Sequence, residues 1–397
     1  MARLEQLTQS DRPITYGVVK PGDERPTYGI KLIRGGDVAE GRIADNLRTI
    51  TQEVSAPYRR TLLRGGELLV SLVGNPGEVA VVPASLKGAN LARQVGMVAL
   101  RSKVCTKYVM YALRSPAGRA SLFAHTKGSV QQVINLADLK RVQIPFPPDR
   151  IQRRIADILS AYDDLIENNT RRIAILEDMA RRLFEEWFGN ADEVSGSQPI
   201  RIDRLIDFDP KTKVPKEGRK AFLPMPCVQT NSMVVSEWEE REGNSGSKFL
   251  NGDTLLARIT PCLENGKTAF VDFLGGGEAG FGSTEFIVMR GRSAPPEFVY
   301  CLARSGAFRE HAIKSMSGAT GRQRVSSAAV AQFEISEPDP NQLERFGKVA
   351  RPMFQMIRSL ADANTKLRRT RDLLLPKLIS GEVEVGVAGE ALEASAA

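Results

Sequence analysis

The sequence predicts an α+β fold: two mixed α/β domains in tandem repeat, separated by two long helices that form an antiparallel coiled coil, the whole pseudo-two-fold symmetric. Three observations predict it. The chain repeats itself at an offset near 190 residues, two long stretches carry heptad spacing, and each of those stretches follows a proline-rich stop.

The repeat comes first because it orders everything else. Gly66-Glu67-Leu68-Leu69-Val70-Ser71 answers Gly252-Asp253-Thr254-Leu255-Leu256-Ala257, an offset of 186. Residues 107–115 answer 297–305 at an offset of 190, which also matches Arg119 with Arg309 and Gly128 with Gly318. Pro148 falls opposite Pro340, an offset of 192, and insertions in surface loops account for the drift. Each copy opens with a Gly-rich stretch of short strands, typified by 70–82 and 281–289, where apolar and β-branched runs end in Gly, Pro or Asn. A short helix follows near 107–124 and 296–315, then a polar loop containing Gly. The stops are Pro145-Phe146-Pro147-Pro148 and Pro338-Asp339-Pro340; proline breaks a strand ladder but suits a helix start.

The first long stretch, 151–188, contains no Pro and no Gly. Its seam is Ile151, Ile155, Ile158, Tyr162, Leu165, Asn169, Ile173, Leu176, Ala180, Leu183 and Trp187. The second, 341–380, has the seam Leu343, Phe346, Ala350, Met353, Ile357, Leu360, Asn364, Leu367, Arg371, Leu374 and Leu378; Pro352 and Pro376 predict kinks or a late start. Each seam holds one asparagine, and a buried Asn is best satisfied by another. Asn169 facing Asn364 in an antiparallel pair places Trp187 by Phe346, Leu183 by Ala350 and Leu176 by Ile357. The expected domains are therefore 1–150, the helix 151–188, a second domain at 189–340 opening with a linker at 189–199, the helix 341–380, and a flexible acidic tail at 381–397.

Charge is unevenly spread. Residues 1–150 carry 22 basic and 12 acidic side chains, 151–188 carry 6 and 8, 189–340 carry 18 and 20, and 341–380 carry 9 and 3, whereas the last 17 residues hold four glutamates and no base. The overall +8 suits nucleic acid as a partner, because Lys and Arg displace counterions from phosphate. On 189–340 such a surface has to be a local patch. Antiparallel helices with a domain at each end present two surfaces at a fixed separation, which suits a two-part target on double-stranded DNA.

The residues argue against chemistry in this chain. There is no G-x-x-x-x-G-K-[ST] phosphate loop and no E-x-K metal-nuclease core. Gly275-Gly276-Gly277 opens no helix pattern, Asn75-Pro76-Gly77 reads as a turn, and only His125 and His311 could serve a nucleophile as base. Cys105, Cys227, Cys262 and Cys301 form no C-x-x-C pair, so no metal is expected and reduced thiols are. No apolar run approaches the roughly 20 residues of a membrane helix, and the expectation is a cytoplasmic protein without membrane contact.

The run from Ile144-Pro145-Phe146-Pro147-Pro148 through Gln152-Arg153-Arg154-Ile155-Ala156-Asp157-Ile158-Leu159-Ser160 to Asp163-Asp164-Leu165-Ile166-Glu167-Asn168-Asn169, closing at 176–188, resembles the central conserved region of the specificity subunits of type I restriction–modification enzymes. Leu373-Leu374-Leu375-Pro376-Lys377-Leu378-Ile379-Ser380-Gly381 is similar to that family's C-terminal conserved region, and 257–267 and 282–286 to segments of its target recognition domains. The resemblance covers about residues 10–385. It implies a non-catalytic subunit with two target recognition domains, each reading half of a bipartite DNA sequence. The helices would set the unread spacer and dock two methyltransferase subunits. No cofactor is implied in this chain: S-adenosylmethionine, ATP and Mg would be bound by partner subunits, among them a separate restriction (motor) subunit that uses ATP and that this chain meets only indirectly. A protein-interaction scaffold, or a recognition module of another restriction system, are the alternatives.

Base edges are read by Arg, Lys, Asn, Gln, Ser and Thr, and phosphates by Arg and Lys. Polar loops that gather these residues are the DNA-binding candidates: Arg34, Asn90, Arg93, Gln94, Lys127, Ser129, Gln131 and Gln132 in the first domain, and Arg258, Thr260, Lys267, Ser283, Thr284, Arg322, Gln323 and Arg324 in the second. Gln131 and Gln323 fall in corresponding loops. Asn169 and Asn364 are the candidates for helix register.

Overall fold

Short apolar runs with no polar alternation build strands buried on both faces, and the chain forms one such four-stranded sheet in each half. In a computed structural model, which describes residues 1–23, 26–124, 133–189, 199–319 and 321–385, the chain divides into two units, Met1–Asp164 with Arg368–Ala397 and Leu165–Leu367.

In the first unit, strands β1 (Thr15–Tyr16), β2 (Ile30–Ile33), β3 (Arg48–Ile50), β4 (Leu68–Ser71), β5 (Val79–Val81), β6 (Asn90–Leu91) and β7 (Val95–Val98) form two sheets, in the orders β1-β7-β4-β5 and β3-β2-β6. The β2–β6 pairing is parallel, whereas β4 and β7 are antiparallel with Leu69 opposite Met97. Leu69, Ala80, Val95 and Met97 share a core with Ile33 and Leu91. Helices α1 (Thr106–Arg114) and α2 (Pro116–Phe123) follow as a hairpin whose elbow is Ser115, capping the second helix by accepting from the Gly118 N–H.

The second unit repeats this order. Strands β8 (Ile206–Phe208), β9 (Lys220–Leu223), β10 (Glu239–Arg241), β11 (Ser247–Leu250), β12 (Thr254–Ala257), β13 (Thr268–Phe270), β14 (Ala279–Gly282) and β15 (Phe286–Gly291) give the sheets β8-β15-β12-β13 and β10-β9-β14-β11, with β9 and β14 parallel. The helical hairpin is Pro296–Arg304 and Gly306–Lys314, with Ser305 as the capping elbow. Strand register makes the repeat quantitative. Ser71 opposes Val95 in the first unit as Ala257 opposes Phe286 in the second. Val73 therefore corresponds to Ile259, and Gln94 to Glu285.

The two long helices are continuous, Asp149–Phe188 and Pro340–Ser380. The second starts at the proline stop and runs through Pro352 and Pro376, so of the expected kinks or late start the late start does not occur. Each proline removes one backbone hydrogen bond, and buried Phe346, Ala350 and Phe354 around Pro352 offset that loss by packing. The helices pack together. Within the second unit Asn169 donates to the Asn364 amide oxygen at 3.0 Å, the Trp187 and Phe346 rings lie 6.1 Å apart, and the Gln342 amide donates to the Trp187 carbonyl, all antiparallel relations.

The buried face is wider than a heptad seam. Gln152, Ala156, Leu159, Ile166, Glu177 and Phe184 are buried beside the expected stripe, as are Phe354, Ala361, Leu375 and Ile379 on the second helix. That second stripe packs into the units themselves: Phe184 meets Phe298 of the helical hairpin at 5.1 Å, and Phe354 meets Phe270 of β13 at 4.9 Å. A buried carboxylate in the second unit and a half-buried one in the first pin the same contact. Glu177 accepts from the Tyr300 hydroxyl and the Met233 N–H, and in the first unit Asp163 accepts from the Tyr111 hydroxyl at 2.6 Å and pairs with Arg371. Burial first, and then the facing carboxylate, push both phenols above their usual range.

Candidate nucleic-acid interface

In the second unit the loops leaving β12 and entering β15 converge. Arg258 follows β12, and 323–325 lies alongside it: the Val325 N–H donates to the Arg258 carbonyl, the Arg258 Nε donates to the Val325 carbonyl at 3.1 Å, and the Thr260 N–H donates to the Gln323 carbonyl. Arg324 bridges in backbone to both Ile259 and Ser317. Its side chain meets Glu285, with Nε 2.9 Å from Oε2 and Nη2 2.7 Å from Oε1. The guanidinium hydrogen bonds hold the Glu285 carboxyl below its ordinary range. Arg322 and Thr284 are exposed beside the pair, and the Ser283 hydroxyl accepts from the Glu285 N–H. Six of the expected residues, Arg258, Thr260, Ser283, Thr284, Gln323 and Arg324, thus belong to one assembly. Lys267 stands apart from it, its ammonium donating to the Met225 carbonyl at 2.9 Å.

A cleft of about 460 Å³ opens next to that assembly, lined by Lys211, Thr212, Lys248, Arg258 and Thr284, with Asp209 as the acid. Asp209 is engaged by the Val288 N–H. Lys211 and Lys248 were not legible as partners of Arg258, because only the pairing of the sheets brings them together.

In the first unit Asn90 is a correction. It is fully buried, accepts from Thr61 Oγ1 at 2.7 Å and from the Leu91 N–H, and donates to Ser55 Oγ at 2.9 Å. Its amide ties β6 to the preceding loop and faces no ligand. Arg93 is exposed and Gln94 half-buried. Arg34 is 45% exposed and held by Asp37, with Nε 3.1 Å from Oδ2 and Nη2 2.9 Å from Oδ1. Gly35 explains where that pair sits. A Cβ there would meet the Val73 carbonyl oxygen at 2.2 Å and Gln94 Cβ at 3.3 Å, so the chain lies flush against the ends of β4 and β7, and only glycine fits. Lys127, Ser129, Gln131 and Gln132 lie outside the described residues, and with them the correspondence of Gln131 to Gln323; Thr320, His125 and the tail from 386 onward do too.

The charge count anticipated a basic first unit without locating the site. A cleft of about 590 Å³ gathers Arg59, Arg60, Arg64, Lys87 and Lys140 around Pro13 and Leu62. None of the five has an ion-pair partner among the described residues. Beneath them Arg12 is neutralised by buried Glu67 at 2.8 Å, so the cleft is strongly cationic, with Asp11 as its one acid. Such a surface suits a polyanion.

Residues 19–178 match the family model of the type I restriction modification DNA specificity domain. That match takes in 160 of the chain's 397 residues, about two fifths of its length. Relatives of this domain include the EcoBI specificity subunit of Escherichia coli, 30% identical over 55% of this chain and 48% of that one, so the match spans about half of that relative's length. The MjaIX specificity subunit of Methanocaldococcus jannaschii is 23% identical over 92% of this chain and 91% of its own. The fold of the specificity subunit from M. genitalium is shared across 95% of both chains, with a TM-score of 0.59 at 16% identity. Among the described residues of this chain no helix is long and apolar enough to cross a membrane.

Proposed function

We propose that this chain is the DNA-specificity subunit of a type I restriction–modification complex, each unit reading one half of a split target. The observation that carries the reading is a duplicated framework with unlike residues at its equivalent loop ends. The β4–β7 pairing of the first unit repeats as β12–β15 in the second, yet Thr284 stands where the first unit has Arg93, and Glu285 where it has Gln94. A conserved scaffold with divergent polar tips is what two different half-sites require.

The long helices would dock two methyltransferase subunits. Ile175 and Met179 on the first helix are exposed one turn apart, and Val349 and Met356 are exposed two turns apart on the second. Apolar side chains at helical spacing suit partner helices. Methyl transfer, ATP-driven motion and Mg-dependent cleavage would belong to the partners, with this chain binding none of S-adenosylmethionine, ATP or Mg. The test is co-expression with the cognate methyltransferase and mapping of methylated adenines. A split motif with a fixed spacer is expected, and a continuous motif contradicts the reading. Binding to duplex DNA should weaken steeply with salt, while a flat dependence would point to a protein scaffold.

A further inference from the structure

We infer that Arg34 and Arg324 are the guanine-reading residues of the two units, each aimed by a carboxylate, Asp37 and Glu285, that does not itself touch DNA. The inference rests on the specificity-subunit reading above and adds which base each unit requires.

The geometry is the same in both places. A guanidinium has two forks of donors, Nε with Nη2 along its side and Nη1 with Nη2 at its end. Asp37 takes the side fork of Arg34 at 3.1 and 2.9 Å, and Glu285 takes the side fork of Arg324 at 2.9 and 2.7 Å. The end fork is left in both; the one contact to Nη1 of Arg324 is a long 3.5 Å approach to the Arg322 carbonyl. The side chains are 45% and 47% exposed. An end fork held rigidly at a surface matches the O6 and N7 acceptors of guanine in the major groove.

The two arginines also occupy one place in the repeated framework, although different segments deliver them. Arg324 lies against Ile259 in backbone and Glu285 in side chain. The residue after Arg34 lies against Val73 and Gln94, the counterparts of Ile259 and Glu285 by strand register. In the first unit Gln94 supplies no charge, and the carboxylate comes from Asp37, three residues after the arginine. In the second, Arg324 comes from a distant loop and the carboxylate stands on the framework. Phosphate contacts have a separate source nearby in the second unit, because Lys211 and Lys248 line the adjoining cleft with Arg258.

The experiment uses the full chain assembled with its cognate methyltransferase subunits. Adenine methylation is mapped genome-wide, and binding is then measured on duplexes carrying the mapped motif and its single-base variants. Each half of the motif should contain a required G·C pair. Arg324→Lys, which keeps the charge and loses the fork, should cut discrimination at one G·C position of one half about ten-fold or more. Arg34→Lys should do so in the other half. Glu285→Gln should relax the same position as Arg324→Lys and no other, a pattern that a merely structural role would not produce. The salt slope should be unchanged in all three. Uniform weakening at every position with a salt slope lower by about one would make these arginines phosphate contacts and overturn the assignment. A split motif that none of the variants relaxes overturns it as well. A wild-type complex that methylates no split motif overturns the specificity-subunit reading and this assignment together.

Discussion

Asn90 and Asp272 show how a polar side chain is committed to the fold. Asn90 satisfies Thr61, Ser55 and the Leu91 N–H with one amide. Asn90→Ala should cost about 1–3 kcal/mol in urea unfolding, because buried partners lose their hydrogen bonds. Burial raises the Asp272 carboxyl to about 6, against the pull of the Arg358 guanidinium and with help from Asp362. The folded value lies above the unfolded one, so protonation favours the fold. This contribution is complete below about pH 4 and is lost as the pH rises through about 6. Asp272→Asn should therefore match wild type near pH 4 and gain on it by up to about 3 kcal/mol above pH 6; a difference that stays flat with pH would contradict the assignment. Residues of this kind are hard to find in a sequence. Asn90 precedes Arg93 and Gln94 in a polar run and looks like its neighbours, and only the fold of 55–61 over it decides that it is buried. The Arg34–Asp37 pair is local and in principle legible, but Glu285 and Arg324 are 39 residues apart and meet only because 323–325 runs beside the end of β12.

At the scale of elements, the seams of the long helices could be read from spacing, since every step of three or four returns to one face. The second buried stripe could not, because residues such as Gln152 and Glu177 are polar and are buried by partners that lie far off in sequence. The asparagine pair is the element-level device. Asn364 is buried, accepts from Asn169 and donates to the Ile166 carbonyl and Thr170 Oγ1. Asn364→Leu alone should destabilise by about 1–3 kcal/mol, since it leaves Asn169 without its acceptor. Asn169→Leu combined with Asn364→Leu should recover most of that loss, giving a coupling energy of opposite sign to the single cost in a double-mutant cycle. Additive effects would mean that the pair does not act as a unit. The aromatic cluster of Phe184, Trp187, Phe188, Phe298 and Phe346 ties the same helices to the hairpin, and Phe346→Ala should cost about 3–5 kcal/mol.

For the whole molecule, the repeat made the fold legible because one pattern was seen twice, while the sites stayed obscure because the repeat keeps its framework and varies its tips. The charge balance follows the same division: the first unit gathers Arg59, Arg60, Arg64, Lys87 and Lys140 in one cleft, and the second holds Lys211, Lys248 and Arg258 against an acidic background. The membership of the long helices has a further consequence, in time rather than space. Residues 165–367 are contiguous and can close their core as soon as they leave the ribosome, but the first unit needs residues from Arg368 onward, including Arg371 for Asp163. At ordinary translation speeds, Asp163 and its neighbours wait roughly 10–40 s for that segment. During that interval the earlier-made unit is the unfinished one, and the later-made unit folds ahead of it. Chains truncated after residue 367 and released from the ribosome should therefore resist protease across 199–367 and be cut readily within 1–164. Equal protection of both regions would show that the first unit closes without its last helix.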